Sequence, residues 1–155
     1  MKAKKEEPTT AKPQMSFEEY QLKHLIIKDG KNKSIKIMLQ KLVSIESNRN
    51  YLLVNVEGMK QMKVRGILED WKVRLVEPHF MVSHDSFLIN VYHIVDFTSE
   101  GGGLITLTGG VPAKVVEKNH GKVNDILYKD ALFVADIVKE KEKNKIVSKQ
   151  KVRKK

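Results

Sequence analysis

The sequence predicts a mainly β domain with one short central helix and one C-terminal helix, and three features predict it. Short apolar runs rich in Val, Ile, Leu and Phe recur along the chain. Polar or glycine bends separate them, at Asp29-Gly30, Asn48-Arg49-Asn50, Gly101-Gly102-Gly103 and Gly109-Gly110, which is the punctuation of antiparallel strands. Only two longer stretches, 66–75 and 118–138, carry apolar residues at helical spacing. With 155 residues, 41% of them hydrophobic, the chain is long enough for one domain with its own core.

Taken in order, residues 1–14 are Lys, Glu, Pro and Thr without apolar periodicity and read as a flexible leader. In MSFEEYQL (15–22), Ser16 stands as an N-cap with Glu19 three residues on, a capping box for a short helical turn. HLIIKDGKNKSIKIML (24–39) holds two apolar runs around Asp29-Gly30, a hairpin with a loop longer than the minimum. LVSIES (42–47) and NYLLVNVEG (50–58) are a second strand pair around a polar bend, and MKQMKVRG (59–66) alternates as a further strand. GILEDWKVRL (66–75) breaks the pattern: Ile67 or Leu68, Trp71 and Leu75 share a helical face, and Glu69 and Asp70 sit near the positive end. Glu77-Pro78 ends it. FMVSH, SFLINVYHIVDF, LITLTGG and VPAKVVE read as the remaining strands. In 118–138, Ile126, Leu127, Ala131 and Val134 fall on one helical face. The organisation expected is a leader at 1–14, a domain at 15–138 and a basic, disordered tail at 139–155, with no internal repeat.

Composition removes several functions. The absence of cysteine excludes disulfides, thiolate chemistry and sulfur-bound zinc. No apolar run approaches the roughly 18 residues of a membrane span, and the N-terminus lacks the apolar centre of a signal peptide. A cytoplasmic protein without a membrane partner is expected. The net charge of +10 is unevenly spread: residues 136–155 hold nine basic against three acidic side chains, whereas 22–135 hold 16 against 12. Such a tail suits polyanion binding by phosphate neutralisation, or simply solubility.

SHDS at 83–86 contains the residue types of a hydrolase triad. If 80–90 is extended, His84 points away from Ser83 and Asp85, so no nucleophile–base–orienter chain forms. The three glycines at 101–103 lack the Gly-Lys-Ser/Thr of a phosphate loop. His24, His79, His93 and His120 show no metal-ligand spacing with carboxylates, and Trp71 reads as a core anchor. No enzyme activity, cofactor, metal or small-molecule substrate is therefore expected. What remains are polar bends at Asn48, Arg49 and Asn50, at His84 and Asp85, and from Lys114 to Lys118. Asn and Arg can reach base edges and Lys can neutralise phosphate, although spacing alone makes ordinary solvated turns the simpler reading.

Several motifs resemble the LytTR family of bacterial DNA-binding domains over about residues 22–128. LVSIESNRNYLLVNV looks like the family's opening strand pair, VRGILEDWKVRL like its short helix, and LITLTGGVPAKVVEKN like its closing hairpin. FMVSHDSFLINVYHIVDF is the most specific: Phe80, His84, Ser86, Phe87, Leu88, Ile89, Asn90 and Ile94 follow the family's run.

The resemblance implies an elongated antiparallel β fold whose loops enter successive major grooves of double-stranded DNA, in pairs of protomers on direct repeats. By position it implies contacts from the bend at Asn48, Arg49 and Asn50, from His84 and Asp85, and from Lys114 through Lys118. Asn90 reads as a residue that fixes a turn through backbone hydrogen bonds. Only a short leader precedes the motifs, so a stand-alone transcriptional regulator is expected. The chain departs from the family in having Val82 where Arg is usual, Asp85 where Arg, Lys or Asn is usual, and Lys114-Val115 where Ser-Arg is usual. Those departures support an alternative, a LytTR-like protein-interaction module with weak or no specific DNA binding.

Overall fold

The structure, a computed structural model, describes residues 14–138 apart from Lys31. The expected leader, except Gln14, and the expected basic tail lie outside the described residues. Helix α1 (Phe17–Leu22) begins with the expected capping box: the Ser16 hydroxyl accepts from the Glu19 amide, and the Glu19 carboxylate accepts from the Ser16 amide. Those bonds and nearby Lys23 hold the Glu19 carboxyl below its ordinary value. Strands β1 (His24–Asp29) and β2 (Lys33–Met38) form the first hairpin.

Five strands make the central sheet: β3 (Leu42–Asn48), β4 (Tyr51–Val56), β5 (Met62–Arg65), β6 (Phe80–His84) and β7 (Phe87–Asn90). Their antiparallel order is β5-β4-β3-β7-β6. Strands β8 (Ile94–Thr98), β9 (Leu104–Leu107) and β10 (Val111–Lys114) form a three-stranded sheet. Helix α2 (Leu68–Lys72) lies between β5 and β6, and α3 (His120–Tyr128) follows β10.

Strand alternation sends the central sheet's side chains into two cores. Ile45, Leu52, Val54 and Leu88 pack with Tyr20, Ile27, Ile37, Leu68 and Leu75. Val43, Met81, Phe87 and Ile89 pack with Ile105, Leu107, Val115 and Val123. Strand β7 is buried on both faces, which explains the unbroken apolar run Phe87-Leu88-Ile89. Truncating a fully buried side chain there, such as Ile89, costs about 2–5 kcal/mol.

Three expectations need correction. The stretch 86–97 is not one strand: β7 ends at Asn90, a 3₁₀ turn covers Val91–His93, and β8 joins the other sheet. The Asn90 carboxamide causes the break by accepting from the Tyr92 amide, and it donates to the Leu39 and Leu42 carbonyls at 3.1 and 2.8 Å. The central helix is only five residues long, with Leu68 and Leu75 buried and Ile67 exposed. The C-terminal helix ends at Tyr128, because Lys129 is extended and Asp130 takes φ 62°. Ala131 and Val134 are therefore exposed and do not continue the face of Ile126 and Leu127.

Buried polar groups around Asn90 are matched, as burial demands. The Tyr20 hydroxyl donates to the Asn90 carboxamide oxygen at 3.2 Å, and burial pushes the Tyr20 phenol up, against the pull of that bond. His79 Nε2 donates to the Met15 carbonyl at 2.8 Å, so its Nδ1 accepts from the Tyr92 hydroxyl at 2.9 Å. These bonds lock α1 onto the start of β6. Gly103 (φ 108°) makes a different close approach: a Cβ there would run into the His120 ring and Val115.

Candidate nucleic-acid interface

The β3–β4 connection is a two-residue loop of Arg49 and Asn50, with Asn48 opposite Tyr51. Arg49 has φ 62°, the left-handed region that a short hairpin demands and that disfavours any residue with a Cβ. Asn48, Arg49 and Asn50 are all exposed.

The second bend, Asp85-Ser86, closes β6 onto β7 between His84 and Phe87, after a register shift between Val82 and His84. Residues 80–90 are thus not continuously extended, and SHDS resolves into separate jobs. Ser83 is fully buried and donates its hydroxyl to the Lys114 carbonyl at 2.7 Å. His84 accepts the Ser86 amide at Nδ1 (3.1 Å), and its ring stands edge-on to Phe87. Asp85 is exposed and in no ion pair among the described residues. Ser83 and His84 carry no nucleophile–base contact.

The third segment starts at Lys114, the last residue of β10, and runs to Lys118 in the 3₁₀ turn Glu117–Asn119. Both lysines are exposed and unpaired among the described residues. Hydrogen bonds to the backbone tie the three segments together. The Ser47 amide donates to the Ser86 carbonyl at 2.8 Å, joining the first to the second. The Val116 amide donates to the Ser83 carbonyl at 2.8 Å, and the Asn119 carboxamide donates to the Val82 carbonyl at 3.1 Å, joining the second to the third. All seven expected site residues therefore lie at one end of the central sheet. The Arg49-Asn50 loop stands two residues beyond Ser86, a projection of about 7 Å at strand rise.

Beside the first bend stand Tyr51, Lys63 and Arg65, which sequence reasoning did not bring together. Tyr51 pairs with Arg65 across β4 and β5, and Lys63 lies over the Tyr51 ring, its Nζ 4.4 Å from the centroid. The alternation in MKVR signalled one exposed face, but only the register puts that face beside Arg49.

The family model described as the LytTr DNA-binding domain matches residues 32–128. Among solved structures, the chain resembles the LytTr DNA-binding domain of a protein described as a methyl-accepting/DNA response regulator from Bacillus cereus, with a TM-score of 0.56. The two are 20% identical, and the match covers 67% of this chain and 95% of that one, a likeness of fold. No curated protein matches the chain.

Proposed function

The chain belongs to the LytTR family of DNA-binding domains, and from that membership we propose that it binds double-stranded DNA with the turn end of its central sheet and regulates transcription. The observation that carries this reading is the hydrogen-bonded line of three polar segments, Ser47 to Ser86 and Ser83 to Lys114 and Val116. Exposed turns fixed by backbone bonds are held in register before DNA arrives, so little ordering entropy is lost on binding. The major groove is wide enough to admit such turns, and it carries the informative base edges.

In this reading Arg49 and Asn50, at the tip, read base edges, with Asn48 beside them. Lys114 and Lys118 neutralise phosphates. His84 holds the second bend, and the exposed Asp85 carboxylate accepts from a cytosine amino group. Two protomers on direct-repeat half-sites, working in the cytoplasm, complete the proposal. Selection from a pool of random duplexes tests it: enrichment of a repeated motif supports the regulator, and no enrichment even at low salt contradicts it.

A protein-interaction module is the second reading, and one feature favours it. A groove of about 800 Å³ lies beside the second bend, lined by apolar side chains such as Phe80, Val82 and Val116 together with charged ones at Lys72, Asp85 and Lys122. Val82 is 36% exposed where a cation is usual in the family. A duplex selection that enriches nothing, from a folded protein, is the result this reading requires.

A further inference from the structure

Within the proposed DNA-binding reading, on which this inference rests, we propose that Tyr51, Lys63 and Arg65 form a phosphate-contact patch that extends the footprint past the β3–β4 loop. Leu52, Val54, Met62 and Val64 turn into the core shared with α1 and the β1–β2 hairpin. Alternation then puts Tyr51, Lys63 and Arg65 on the sheet's other face, where both cations are exposed.

Two positive side chains converge on one ring. The Lys63 ammonium lies 4.4 Å and the Arg65 guanidinium 5.5 Å from the Tyr51 centroid. The ring's negative face attracts each of them, but the two cations repel each other, and among the described residues neither has a carboxylate partner. A bridging anion relieves that repulsion, and a guanidinium fork matches a phosphate's oxygens.

Position identifies which anion. The Gly66 amide donates to the Asn50 carbonyl, so Arg65 is next to the loop proposed to enter the groove. A strand face set back from a projecting loop meets the sugar–phosphate rim rather than base edges. The sheet order places this patch on β5 and the Lys114 segment beyond β6. At about 4.8 Å per strand, the line from β5 to β6 spans about 19 Å, enough for cations to grip phosphates on both sides of the central turns.

The test is the salt dependence of duplex binding. Lys63→Gln with Arg65→Gln is expected to make the slope of log K against log salt shallower by about 2, one per lost phosphate contact. Affinity should fall by the same factor for selected and random duplexes. Lys28→Gln with Lys36→Gln removes two exposed charges from the β1–β2 hairpin and is expected to leave the slope unchanged. An unchanged slope in the first variant, or an equal change in both, overturns the patch while the DNA-binding reading stands. A wild-type protein that binds no duplex at low salt overturns both. Should the double variant unfold, each single substitution is expected to remove about one unit of slope, and an unchanged slope in both singles overturns the patch.

Discussion

Arg49 occupies φ 62°, where a residue with a Cβ costs about 1–2 kcal/mol relative to glycine. Backbone strain at an exposed cation makes stability and binding separable. Arg49→Gly should be more stable to denaturant than Arg49→Ala by about 1 kcal/mol of unfolding free energy, while both lose duplex affinity by a similar factor. Chemical unfolding beside anisotropy titration checks this, and equal stabilities would show that the loop relaxes around alanine. Asp85 makes a second test at the same scale. Its carboxylate is exposed and unpaired among the described residues, so in the proposed complex it is available to accept from a base amino group or to repel the backbone. Asp85→Asn replaces an acceptor suited to cytosine with an amide suited to adenine. The selected motif should change at one base pair, by about 1–3 kcal/mol of discrimination, and low-salt affinity should rise. An unaltered motif and affinity would remove Asp85 from the interface.

Among the elements, β7 and the turn after it depend most on one side chain. Asn90 is fully buried and satisfies the Leu39 and Leu42 carbonyls, the Tyr20 hydroxyl and the Tyr92 amide. Asn90→Ala leaves several buried groups unpaired at about 1–3 kcal/mol for each, and a loss of at least 3 kcal/mol in urea unfolding is expected. A loss under 1 kcal/mol would show that water replaces the amide. Asn90 also explains how far sequence reading reached. Its role as a turn-fixing residue was legible, yet its consequence, the split of 86–97 between two sheets, was not, because the bonding carbonyls lie about fifty residues away. The capping box of α1 was legible because its partners are three residues apart. The C-terminal helix was overextended because periodicity continues past Tyr128, while the backbone leaves the helix at Lys129 and Asp130. Residues within one bend could be named from the sequence. Tyr51, Lys63 and Arg65 could not, since cross-strand register brings them together.

For the whole molecule, the proposed DNA binding makes affinity depend on where the charge lies. Residues 14–138 are nearly neutral, with 16 basic against 15 acidic side chains, whereas residues 139–155 carry nine basic against two acidic. Deleting 139–155 should flatten the salt slope of duplex binding while preserving the selected motif, since backbone neutralisation carries no sequence information. A changed motif would assign the tail a reading role. Everything at this scale rests on the turn end of the central sheet being the face that meets DNA. Chemical-shift mapping during titration with a selected duplex tests that most directly. The largest shifts are expected at 48–51, 63–65, 84–86 and 114–118, with the β1–β2 hairpin unmoved. Shifts centred on the β1–β2 hairpin, with those turns silent, would contradict it.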